Sequence, residues 1–243
     1  MNKIKNKYYA LAVEGKEANI YIYGDIVSWP WFESDVSSYT LVKEIEELPP
    51  DVEVINVHIN SYGGEVAEGL AIYNVLKNHK AKVRTIVDGF AASIASVIFM
   101  AGDERIMSNA SLLFIHNSWM AAVGNAKELR KQADDLETID KVTRHAYLEH
   151  VNLSEEELKE LLDNETWITP TQALEWGFAT SIINQPATSK VAASVRKRMI
   201  EMLLQQQAVQ MDKPGKQEPD RQPDPGQPAT RKLKLFSAWK KGV

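Results

Sequence analysis

Between Ala18 and Ala101 the chain changes its hydrophobic period repeatedly, and that alternation limits its fold more than any other feature. "ANIYIYGDI" alternates apolar and polar residues and is closed by Gly24 and Asp25, as a half-buried strand would be. From Val36 to Leu48 the period becomes helical, with Leu41, Ile45 and Leu48 on one face and Pro49-Pro50 as the stop. "VEVINVHIN" predicts a second strand, ending at Asn60. Val66, Leu70, Tyr73 and Leu76 predict a helix as far as Lys77, "AKVRTIVDG" a third strand, and Ser93 to Ala101 a short buried helix. Strands that return only after a helix pair in parallel, because a parallel neighbour needs a long crossover. The expected fold is therefore an α/β domain.

The pattern continues with a strand in "ASLLFIHNS" and a long amphipathic helix from about Asn125 to His150, with Leu129, Ala133, Leu136, Thr143 and Tyr147 on one face. Ser154-Glu155-Glu156-Glu157 is a capping box opening another helix. Thr169-Pro170-Thr171-Gln172 opens the last one, with proline at the first helical position and Gly177 as the stop.

Charge divides the chain in two. Residues 1–183 carry 16 Lys+Arg against 28 Asp+Glu, whereas 184–243 carry 12 against 5. Five of the ten prolines fall between Met211 and Thr230, in a stretch too poor in apolar residues to offset its ordering entropy. The expected organisation is an N-terminal segment 1–17, a main domain 18–183, a helix within 184–210, and a flexible Pro-rich linker and basic tail, 211–243. The tail's "RKLKLFSAWKKGV" also has the composition of a docking peptide.

The absence of cysteine excludes disulfides, thiolate metal sites and cysteine nucleophiles, and fits a reducing compartment. Residues 1–15 are basic, but their apolar stretch is too short for a signal-peptide core. The most apolar window, Ala91–Ala101, falls short of the roughly 20 residues of a membrane span. A cytoplasmic protein without membrane or nucleic-acid contact is expected.

Three strand ends carry the candidate chemistry. In "INSYGGEV", Gly63 and Gly64 join a strand to a helix, where backbone amides are unpaired and can receive an oxyanion or a phosphate. A tight turn is their ordinary role, and no Gly-x-x-x-x-Gly-Lys-Ser/Thr pattern supports a nucleotide. Ser93 follows "DGFAA" and opens a helix, either as an N-cap or as a nucleophile flanked by N–H groups. Ser96 and Ser111 are weaker candidates, inside an apolar helix and at a strand start. His116 closes "LLFIH", placed either as a satisfied polar group or as a general base. His58, His79, His145 and His150 have no such setting, and no His-Glu-x-x-His zinc helix is present. A triad also needs a carboxylate to orient the imidazole, and "LLDNETWITP" supplies Asp163 and Glu165.

The blocks "INSYGGEVAEGLAIYN", "GFAASIAS", "LLFIHNSW" and "TPTQALEWGFATSI" together resemble, in order and spacing, the ClpP class of serine peptidases. They resemble most closely the ClpP-related head-maturation proteases of tailed bacteriophages. The resemblance covers roughly residues 18–183. It implies a crotonase-like ββα superhelix and homo-oligomeric rings, with the long helix in contact between stacked rings. It also implies Ser93 as nucleophile, His116 as base, and Gly64 and Ile94 as oxyanion donors. The third triad position falls on Glu165, where cellular ClpP has aspartate, with Asp163 as the alternative. Tyr62 stands where the common form has proline.

The implied activity is peptide-bond hydrolysis without metal or cofactor. For a phage enzyme the substrates would be scaffold and capsid proteins in an assembling head, with capsid, scaffold or portal proteins as partners. The rival roles are a housekeeping-type ClpP served by an AAA+ unfoldase and a catalytically idle ring component. A CoA-ester enzyme on the same superhelix is fainter, and a Ser–Lys peptidase is disfavoured because the Gly-rich and His-bearing blocks lack lysine.

Overall fold

A computed structural model of the chain describes residues 11–32 and 35–183. The helix expected within 184–210 and the Pro-rich basic tail 211–243 lie outside the described residues. A mixed α/β architecture is observed, built on an eight-stranded sheet. Strands β1 (Leu11–Glu14) and β2 (Glu17–Ile22) form an antiparallel hairpin around Gly15, whose φ of 62° is the left-handed conformation glycine accepts. Next, β2 pairs in parallel with β3 (Val54–Ser61), and β3 with β4 (Lys82–Ala92). Helices α1 (Ser38–Glu46) and α2 (Val66–Lys77) make the two crossovers. Ser37 caps α1 by accepting from the Thr40 amide, whereas Glu65 before α2 makes no side-chain cap.

One face of this sheet carries the core. Ala18, Ile20 and Ile22 of β2, Ile55, Val57 and Ile59 of β3, and Val83 and Val87 of β4 pack with Leu41, Ile45, Ile72 and Leu76 of the helices. The other face is polar and paired across strands. The Asn56 amide donates to Glu17 and Asn19 at 3.0 Å each, and His58 Nδ1 lies 2.8 Å from Asp88 while its ring stacks on Tyr21. This explains why "VEVINVHIN" alternates, when a parallel strand covered on both faces would be continuously apolar.

Strand β4 divides its pairing, and that division builds the site. Its Arg84–Val87 stretch pairs with β5 (Glu104–Ser108), reached through α3 (Ile94–Phe99). Its Phe90–Ala92 stretch pairs instead with β6 (Leu112–Ile115). The third strand, expected to end at Gly89, continues to Ala92, and Gly89 lets it pass close beside the Asn60 side chain. Antiparallel to β6 runs β7 (Thr166–Ile168), and β8 (Ser181–Ile183) closes the far edge against β5. Helices α4 (Ala126–Leu148) and α5 (Glu155–Asp163) connect β6 to β7, and α6 (Pro170–Glu175) connects β7 to β8. The expected capping boxes at Ser154 and Thr169 are both made, and a third opens α4 at Asn125. Among the described residues no helix is long and apolar enough to cross a membrane.

Candidate active site

Ser93 stands between β4 and α3 in the position of an N-cap, but its side chain caps nothing. Its backbone has φ 54° and ψ −130°, a conformation that side-chain-bearing residues rarely adopt. Among the described residues Ser93 and Glu165 are the two non-glycine positions with positive φ. The continued pairing with β6 holds the turn, since Ser93 N–H donates to the Phe114 carbonyl at 2.8 Å.

That pairing also delivers His116, two residues past Phe114. His116 Nε2 is 2.8 Å from Ser93 Oγ, and Nδ1 is 2.6 Å from the Asn117 carbonyl. A carbonyl can only accept, so the ring proton belongs on Nδ1 and Nε2 is left to accept from the serine. This is the tautomer a general base requires. Two carboxylates fix the segment after the histidine: Asn117 Nδ2 donates to Asp163 at 2.7 Å, and Ser118 N–H to Asp140 at 2.7 Å. Neither support was anticipated, because both depend on which helices pack beside a backbone segment.

The paired glycines lie against the same turn. A Cβ on Gly63 would come within 2.7 Å of the Ala92 carbonyl and 2.8 Å of Ser93 Cβ; one on Gly64 would come within 2.0 Å of the Ile26 carbonyl. Their φ values, 97° and 149°, lie where side-chain-bearing residues are strained. Ser61 Oγ pins the approach, accepting from Gly63 N–H at 3.0 Å and donating to the Gly24 carbonyl at 2.6 Å. Gly64 is exposed, and Ile94 opens α3, so its amide is among those a helix start leaves unpaired. A cavity of about 370 Å³ joins these groups, with Gly64, Ser93, Ile94 and His116 on its wall beside Val27, Val66, Val97, Trp119 and Tyr147.

The candidate acids are placed differently. Asp163, at the end of α5, is exposed and bonded to Lys159 at 2.5 Å as well as to Asn117. Those two donors, lysine first, hold its carboxyl below the usual range. Glu165 follows in a left-handed turn, with φ 48°. The β6–β7 register pairs Leu113 with Ile168, Phe114 with Trp167 and Ile115 with Thr166, so His116 follows and Glu165 precedes the last pair of the ladder. No hydrogen bond or ion pair joins either carboxylate to the imidazole, whose Nδ1 is engaged by Asn117.

The Clp protease family model matches residues 35–186 of this chain. The chain belongs to the Clp protease family. A relative, the ATP-dependent Clp protease proteolytic subunit of Deinococcus radiodurans, is 35% identical over 143 residues, covering 58% of this chain and 70% of that protein. This family member is a serine-type endopeptidase, and the matched span contains Gly64, Ser93, His116, Asp163 and Glu165.

Proposed function

We propose that the chain hydrolyses peptide bonds with Ser93 as nucleophile, His116 as general base, Glu165 as the orienting acid, and the Gly64 and Ile94 amides as oxyanion donors. The observation that carries this reading is the 2.8 Å contact between an uncapped, backbone-strained serine and the unprotonated nitrogen of His116. His116 takes the hydroxyl proton as Ser93 attacks the carbonyl, and the two amides receive the developing negative charge. The imidazolium then protonates the departing amine, and a water activated by the same nitrogen releases the acyl group. Glu165 is preferred to Asp163 because it directly precedes Thr166, whose β6 partner Ile115 adjoins His116, and because it holds a turn whose strain costs roughly 1–3 kcal/mol. Accepting Nδ1–H from His116 requires it to displace the Asn117 carbonyl. The valines and aromatic rings of the cavity favour an apolar side chain beside the scissile bond.

The working form is a homo-oligomeric ring in the host cytoplasm, and the substrates are scaffold and capsid proteins of an assembling phage head. The basic extension 184–243 on an acidic domain supports this assignment, as do the exposed Trp29, Trp31 and Phe32. A second reading, a peptidase subunit fed by an AAA+ unfoldase, is favoured by the name of the Deinococcus relative.

Labelling by a fluorophosphonate probe tests the chemistry. Labelling at Ser93, lost in Ser93→Ala along with about 10⁴-fold or more of peptidase activity, is expected; an unlabelled, correctly assembled protein favours an idle ring component. Cleavage of a co-expressed scaffold protein without ATP supports the phage role. Degradation of a folded substrate only with an unfoldase and ATP supports the other.

A further inference from the structure

Behind the nucleophile turn lie two hydroxyls that the proposed mechanism does not use. The Ser93 carbonyl accepts twice from Ser96, at 2.9 Å from its amide and 2.5 Å from its Oγ. The Tyr147 hydroxyl is 2.7 Å from Ser96 Oγ. A carbonyl cannot donate and a serine hydroxyl has one hydrogen, so that hydrogen goes to Ser93 and Tyr147 must be the donor to Ser96. Both side chains are buried, at 0% and 2% exposure. Burial pushes the Tyr147 phenol well above its ordinary value, so it keeps its proton. The chain from Tyr147 to Ser96 to the Ser93 carbonyl has a single direction.

That carbonyl and the Ile94 N–H belong to one peptide group. The group is planar, so fixing its oxygen fixes where the N–H points. Hydrogen bonds received by the oxygen also polarise the amide and strengthen its N–H as a donor. We propose that Ser96 and Tyr147 are positioning residues of the oxyanion hole, aiming and polarising the Ile94 amide. The proposal rests on the reading of Ser93 and Ile94 given above. Tyr147 is well placed to anchor the plane. It and Ala146 are the buried residues of α4, and its ring packs edge-on against Phe178 at 5.8 Å between centroids. A phenylalanine would fill the same space, so the hydroxyl has a role only through its hydrogen bond.

The test uses the full-length chain, with active sites counted by fluorophosphonate titration. In Tyr147→Phe and in Ser96→Ala, kcat per titrated site is expected to fall about tenfold on a peptide substrate, with KM unchanged. The affinity of a peptidyl trifluoromethyl ketone, which forms an oxyanion on Ser93, is expected to fall by the same factor. The double variant is expected to be no worse than the poorer single one, because the two act in series. The acid limb of the kcat/KM pH profile, which reports the general base, is expected to stay in place.

Wild-type kcat per site in both variants overturns the proposal. So does a loss of titratable sites without a loss of kcat per site, or a displaced acid limb, which would put the effect on His116. If Ser96→Ala does not fold, Tyr147→Phe decides alone, since it removes one oxygen. A wild-type protein that neither takes the label nor cleaves peptide overturns the hydrolytic reading and this proposal together; a labelled wild type with unaffected variants overturns this proposal only.

Discussion

The turns at Ser93 and Glu165 both take a positive φ, 54° and 48°, yet they are held by different means. Ser93 is fixed on every side: its amide by Phe114, its carbonyl by Ser96, its hydroxyl by His116, and its back by Gly63. Glu165 is exposed and is tied through its backbone amide to Leu162 at 3.2 Å. One turn is locked in the core, and the other projects from the end of α5. The proposed nucleophile and base are thus in contact within the single chain, whereas the proposed acid makes no hydrogen bond or ion pair with the imidazole. A strained turn with few supports is also the easier one to move.

Substituting the two acids tests this contrast most strongly. Glu165→Gln is expected to lower kcat by roughly 10²–10⁴-fold, as loss of an orienting carboxylate does in serine peptidases. Asp163→Asn, which leaves an amide oxygen to accept from Asn117, is expected to stay within a few-fold of wild type. Steady-state kinetics on one peptide substrate measures both, and the opposite ranking would make Asp163 the acid.

A smaller effect, on stability, probes the strain itself. Glycine adopts φ near 48° without penalty, so Glu165→Gly is expected to stabilise the fold by about 1 kcal/mol while abolishing any gain from the acid. Thermal denaturation should show a rise of about 2–4 °C. An unchanged or lower Tm would mean that the Glu165 side chain supports the fold more than the structure indicates.

The smallest expected effect concerns Asp163 and pH. Its carboxyl is lowered by Lys159 and then Asn117, so whatever stability it adds is present above the ordinary carboxylate range and is lost as pH falls through its lowered value. The Tm difference between wild type and Asp163→Asn should be slight at neutral pH, as an exposed ion pair allows, and should vanish in acid. A difference that grows in acid would contradict this.

The contrast between the two turns also separates what could be read in advance from what could not. Helix α2 is found at Val66–Lys77, where hydrophobic spacing placed it, and the capping residues Ser154 and Thr169 act as their local patterns require. Strands β5, β7 and β8 were not anticipated. They are three to five residues long, too short for period alone to distinguish them from loop. The β1–β2 hairpin was missed for the same reason. Ser93 could be singled out because it opens a helix after a strand and a run of small residues, and His116 because it ends an apolar strand where polar residues begin. Tyr147 was placed on the apolar face of a helix, but nothing local marked its hydroxyl as the donor to Ser96.

From its residues alone the chain determined the α/β alternation, the helix ends, the exclusion of cysteine chemistry, and the strand ends able to carry a nucleophile, a base and donor amides. These follow from interactions within a few residues, where side-chain period and capping act. The fold decided the rest: the division of β4 between two partners, the positive-φ backbone of Ser93, and the tautomer of His116. The strand pairing and the Ser93 turn depend on segments twenty or more residues apart meeting at hydrogen-bond distance, which only packing of the whole domain brings about; the tautomer depends on the conformation given there to the neighbouring Asn117 carbonyl.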